Sequence, residues 1–235
     1  MLNAVLFWLL ALPLIIMLLL DYAQRELFVI PGMQEGLVWG VTDLRPLILL
    51  TIMQIALTLV MIWGIACVLI AGKRLISSKA GRARTSFAVI RHEGRGFILN
   101  IFLTSILRSC IALLWSILLI IPGIVYFIRT MFYQVTIVCE GKDYRDALRA
   151  SNDVVRGHTW TVLWYIMGLL LAIFLPVFAM IAVLENAVAI VDSRLLPALF
   201  IPEGALMAIA VLLFTLSLAA LYREIKKLPT AVSPS

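Results

Sequence analysis

This sequence predicts an all-α bundle of six membrane spans. Three observations carry the prediction: the composition, six long apolar runs, and the placing of basic residues between them. Of 235 residues, 63% are hydrophobic and 14% charged, and mean hydropathy is +1.09. Soluble domains run at about 45–50% apolar and about 25% charged. A soluble globule of this length could not hide such a surplus, because a larger core still leaves a surface that needs polar cover. Disordered chains are poor in the residues found here in excess. Soluble enzymes, nucleic-acid modules and disulfide scaffolds are excluded together.

A helix needs about 20 mostly apolar residues to cross the hydrocarbon layer. The first run, 2–20, is apolar apart from Asn3 and contains Pro13. It has neither a basic n-region nor a small-x-small cleavage site, so it reads as a retained anchor and not a signal peptide. The second, 47–71, opens at Pro46, where a proline in the first turn costs no hydrogen bond, and ends at Lys73-Arg74. The third, 97–121, contains Arg108 and stops at Pro122-Gly123; the fourth, 124–139, contains Arg129. The fifth, 159–184, holds Pro176, and the sixth is 204–222. Residues 1–235 thus form a single integral membrane domain.

Charge sets the orientation. The loop Lys73–Arg95 holds seven basic residues, 140–158 adds four, and the C-terminal tail adds Arg223, Lys226 and Lys227. The intervening loops hold only Arg25, Arg45 and Arg194. Basic residues concentrate in cytoplasmic loops, so both termini are expected in the cytoplasm. The same rule explains Lys73–Arg95 without nucleic acid, since Phe87 is its lone aromatic; a grip on anionic lipid headgroups fits, at about 1 kcal/mol per basic residue.

Of 19 basic residues, two escape this pattern: Arg108 and Arg129, each near the middle of a span. A central arginine is unfavourable by roughly 2.5–3.5 kcal/mol on insertion scales, so each must face protein, water or a ligand. No Asp or Glu lies well inside the predicted spans to pair with them. Three readings stay open: backbone carbonyls freed near Pro122 or Pro176 together with snorkelling, an anionic ligand or lipid headgroup, and another subunit. The missing carboxylates argue against cation-coupled transport. Catalytic signatures such as GxSxG, HExxH and a phosphate-cradling glycine loop are absent, so no enzyme and no cofactor is expected. Cys67, Cys110 and Cys139 include no CxxC pair, and His92 and His158 lack a second ligand at metal spacing, so no metal is expected.

Two segments add local structure. Ile121-Pro122-Gly123 should break and reverse the chain, closing spans three and four into a hairpin. Ile30-Pro31-Gly32 and Ile201-Pro202-Glu203-Gly204 are similar, but their flanks are too unlike to establish a repeat. Between spans four and five, Asp143 can cap a helix over 143–156. Its apolar face is Tyr144, Ala147, Leu148, Ser151, Val154 and Val155, its other face is charged, and Gly157 ends it. This pattern describes an amphipathic helix on the cytoplasmic membrane surface or a helix that docks a partner. Small residues Gly204, Ala208, Thr215 and Ala219 permit close packing of the sixth span, within the chain or between chains.

The run 118–160 resembles the YciC-like family of bacterial membrane proteins. It is also similar to the membrane domain of some glycerophosphodiester phosphodiesterases. The resemblance rests on Ile121-Pro122-Gly123-Ile124, Arg129, Glu140-Gly141, Ala147-Leu148, Ser151, and Gly157 with Trp160. It covers about a fifth of the chain, and Val135–Val138 lacks the proline often present in the family. The resemblance implies a six-helix bundle in the bacterial cytoplasmic (inner) membrane and lends no enzymatic activity. The expectation is a non-enzymatic scaffold, accessory subunit or envelope-homeostasis factor that meets a membrane-protein partner or forms a homo-oligomer. The alternative is a transporter or channel for a small anion or lipid headgroup, lined by Arg108 and Arg129.

Overall fold

A computed structural model describes residues 2–24, 45–77, 87–118, 120–191 and 197–227. Among them all regular structure is helical: α1 Leu2–Gln24, α2 Arg45–Ser77, α3 Phe87–Leu118, α4 Ile120–Arg129, α5 Tyr133–Glu140, α6 Tyr144–Val155, α7 Thr159–Val191 and α8 Phe200–Lys227. Six stretches of the described residues are long and apolar enough to cross a membrane, α4 and α5 together making the fourth. The Ile30-Pro31-Gly32 triplet, Arg25, Lys79, Arg82, Arg84 and Arg194 lie outside the described residues.

The helices outrun the apolar spans that predict them. α2 passes through Lys73-Arg74 to Ser77, and α3 begins at Phe87, so much of the predicted basic loop is helix. A charge ends an apolar run but not the hydrogen-bond ladder, and Lys and Arg are good helix formers. The same extension puts Glu185 inside α7 and Glu203 in the first turn of α8. Both stand toward helix ends, as Asp21 does in α1, and not at mid-span. Pro13 and Pro176 sit inside α1 and α7 without ending them.

The chain breaks just ahead of Pro122-Gly123 and not at it. Pro122-Gly123 lies in the first turn of α4, and Ile201-Pro202 lies in the first turn of α8. Proline is tolerated there because its missing N–H would have no helical acceptor. α3 and α4 still pack closely as a hairpin. Gly123 makes this possible, since a Cβ there would come within 3.0 Å of the Ser116 amide nitrogen.

α1 packs on α2 and α8, α2 on α3, and α6 is wedged against α3, α4, α5 and α8. The buried core concentrates around that wedge. It includes Ala66–Ala71 of α2, Ile90 and Ile101 of α3, Phe132, Ile137 and Val138 of the fourth span, and Tyr222 of α8. Cys67 is fully buried in the close α2–α3 contact, where a Cβ on Gly94 would stand 2.9 Å from its Sγ. The apolar face of the amphipathic helix is thus covered by the chain itself, while Arg145, Asp146, Arg149 and Arg156 stay exposed. Its Ala147, Leu148, Ala150, Ser151 and Val155 are buried by the rest of the chain. α7 lies at the other extreme: it touches mainly α8 and α4, with 6% of its apolar window buried.

Candidate functional site

The fourth span is not the continuous helix expected over 124–139. α4 ends at Arg129, residues 130–132 turn, and α5 begins at Tyr133. Across the turn Met131 N donates to Ile128 O (3.2 Å) and Tyr133 N to Thr130 O (3.4 Å), each one residue short of the α pattern. Phe127 O and Arg129 O thereby lose their usual helical donors, and Phe132 N loses its usual acceptor. Backbone irregularity at membrane depth survives only where other groups take over such partners.

Two side chains do so. Ser151 of α6, fully buried, donates from Oγ to Arg129 O (2.8 Å) and accepts from Phe132 N (3.1 Å). One hydroxyl thus replaces both missing partners. Thr136 helps from the other side, its Oγ1 sharing one proton between Tyr133 O (2.8 Å) and Ala147 O (3.1 Å). Arg108, reaching from α3, takes the remaining carbonyl: Nη2 donates to Phe127 O (3.0 Å) and Nε to Thr130 Oγ1 (3.0 Å). Thr130 Oγ1 in turn donates to Tyr126 O (2.8 Å). The guanidinium carbon stands 4.0 Å from the centroid of the Phe127 ring and 5.3 Å from that of Tyr133. Such cation–π contacts contribute about 2 kcal/mol when desolvated.

Arg108 therefore meets a carbonyl freed by a helix break, as its chemistry requires, but at residues 130–132 and not at either proline. Arg108→Lys should lower stability by about 2 kcal/mol, because a point charge cannot hold both acceptors and lie over two rings. Arg108→Met should cost less, since it removes the charge together with its needs. Reversible unfolding in mixed micelles measures both, and a lysine variant as stable as wild type would refute the clamp.

Arg129 goes elsewhere. Its Nε donates to Thr159 Oγ1 at the start of α7 (3.2 Å), and it ends α4, where a cation suits the helix dipole. The two arginines share no partner in these contacts. Neighbouring His158 keeps its Nε2 buried and unbonded.

The remaining motif residues build the joint between the fourth span and α6. Gly141 closes α5 in the left-handed conformation (φ 68°), and Gly157 has φ 93° beyond α6, both backbones that favour glycine. Asp143 does hold the position before α6, but its carboxylate makes no cap; it accepts instead from Asn100 Nδ2 of α3. Asn100 Oδ1 also accepts from Tyr144 N (3.3 Å), so one amide clamps α6 to α3.

Glu140 ties three segments together. Its Oε1 accepts from Tyr222 Oη (2.5 Å) and Lys226 Nζ (2.6 Å) of α8, while Oε2 faces Lys142 Nζ at 3.1 Å. Lys73 of α2 donates to Val138 O (3.3 Å) beside it, and Arg74 pairs with Glu93. These contacts gather the basic helix ends at one end of the bundle. Tyr222 is 3% exposed, so Glu140→Ala would strand a buried hydroxyl, while the half-exposed Lys142 and Lys226 would turn to water. A loss of about 2 kcal/mol is expected. Tyr222→Phe should lose about 1 kcal/mol, and the double variant less than the sum; strict additivity in a thermal-unfolding cycle would show the bond contributes nothing.

Comparison of the chain with family models, with curated proteins and with solved structures found no match, and none places it in the YciC-like family.

Proposed function

We propose that this chain is a non-enzymatic, multi-pass protein of the bacterial cytoplasmic membrane, with both termini in the cytoplasm, serving as a scaffold or accessory subunit. The observation that carries the reading is the exposure of two spans: 11% of the α3 window and 6% of the α7 window are buried within the chain. Leu171, Leu175 and Phe178 of α7 are each more than half exposed. Lipid or another protein must cover that surface, and a scaffold uses such a face. The gathering of basic helix ends supports the orientation, since cytoplasmic ends carry the positive charge. Arg91, Arg95, Arg145 and Arg149, all exposed, would hold anionic lipid headgroups there. The likeness of 118–160 to the YciC-like family agrees with this reading.

A photo-crosslinking residue at Phe178, followed by mild-detergent purification, tests it. A discrete protein adduct, whether a second copy or another chain, is expected. Lipid adducts alone on a monomer would overturn the scaffold. The reading as an anion path keeps one observation: Arg129 donates from Nε alone in the contacts above, so its terminal nitrogens retain donors for an anion. Anion flux in proteoliposomes that disappears in Arg129→Leu would favour it.

A further inference from the structure

At the end of the bundle away from Glu140, α1, α7 and α8 border an open cavity of about 440 Å³. Along α8, Glu203 in this cavity and Lys226 at the Glu140 joint are separated by 23 residues, about 35 Å of helix. Asp21, Tyr22, Glu185, Asn186, Phe200 and Glu203 line the cavity. Among the described residues that line it, three are acidic and none is basic. Glu203 is 5% exposed, and no hydrogen bond or ion pair engages its carboxylate among the described residues. A carboxylate this enclosed, opening onto a pocket that holds a second one, is stabilised by a cation placed there.

Three features define the cation. No group of three His, Cys, Asp or Glu among the described residues is placed to hold a metal ion. The volume lies in the range of small organic ligands and far exceeds that of a bare ion. The rings of Tyr22 and Phe200, with centroids 5.5 Å apart, border the space and offer π faces to an organic cation. Asn186 donates from Nδ2 to Ala182 O (2.7 Å), which leaves its Oδ1 to accept.

We propose that this cavity binds a primary ammonium group, with Glu203 as its ion-pair partner, Glu185 as a second carboxylate and Asn186 Oδ1 as a neutral acceptor. The ammonium belongs either to an ethanolamine lipid headgroup or to a free polyamine, and the two sources are separable. The site lies at the opposite end of the bundle from the basic cluster and does not depend on the scaffold reading.

The test uses the full chain. Spermidine is titrated onto detergent-purified protein at constant ionic strength, and the protein is separately placed in nanodiscs of phosphatidylcholine with or without phosphatidylethanolamine. Thermal stabilisation by spermidine points to the free amine, and stabilisation by phosphatidylethanolamine alone points to the lipid. Either supports the site if Glu203→Gln weakens the effect about tenfold or more. Glu185→Gln, at an exposed position, should weaken it less and serves as the second variant if Glu203→Gln does not fold. Absence of stabilisation by both probes overturns the proposal, as does equal stabilisation of wild type and both variants, or a response to magnesium that matches spermidine.

Discussion

Ser151→Ala is expected to lower the unfolding free energy by about 3 kcal/mol, a large loss for the removal of one oxygen atom. The hydroxyl is fully buried and bonded at both ends to backbone groups that no longer serve each other: it donates to Arg129 O and accepts from Phe132 N. Alanine would strand both at membrane depth, at about 1–3 kcal/mol for each orphaned group. The loss also has a location. Hydrogen exchange at Phe132 N should accelerate in the variant while exchange in α1 stays unchanged. A loss below about 1 kcal/mol, or uniform acceleration, would show that the α4–α5 turn holds itself open without α6.

Gly204→Leu should have an effect of similar size through volume. A Cβ at Gly204 would stand 3.1 Å from the backbone nitrogen of Ile15 and closer still to its Cγ1. Backbone cannot step aside as a flexible side chain can, so α8 must leave α1, the pair that also flanks the acidic cavity. A cost of about 3 kcal/mol is expected, the upper part of the overpacking range, and most of the protein should be lost from the monodisperse peak in size exclusion. Gly96 provides the control, because nothing lies within 4 Å of its Cβ position. Gly96→Ala should be neutral or stabilising by up to about 1 kcal/mol, as helix propensity alone predicts. If Gly204→Leu behaves like Gly96→Ala, the α1–α8 contact is looser than described.

Much of this was legible in the residues. Apolar runs locate six spans because the hydrocarbon layer demands length and hydropathy, and both are read directly from composition along the chain. The isolation of Arg108 was legible too, since a charge among apolar neighbours must find a partner. Which partner was not. The carbonyl it takes is freed by the turn at Thr130-Met131-Phe132, which contains no proline or glycine and carries no local sign of a break. Pro122 and Ile201-Pro202, which do carry that sign, lie inside first helical turns, where the chain tolerates them. The face of α6 was legible from its spacing, but not what covers it: lipid and protein ask for the same apolar stripe. The acidic cavity was hidden for a related reason. Glu185 and Glu203 lie just outside the apolar runs and come together only because α7 and α8 continue past the runs and pack as neighbours.

The sequence by itself thus determined six helices long and apolar enough to cross a bilayer, with charge sorted between them. Those properties are local, and each is a sum over neighbouring residues. The tertiary structure alone decided where the fourth span breaks, that Ser151 and Arg108 close the break, and which carboxylates share a cavity. Each of these depends on a hydrogen-bond partner or a neighbour 18 to 182 residues away, and the identity of a distant partner is fixed by packing, not by local pattern.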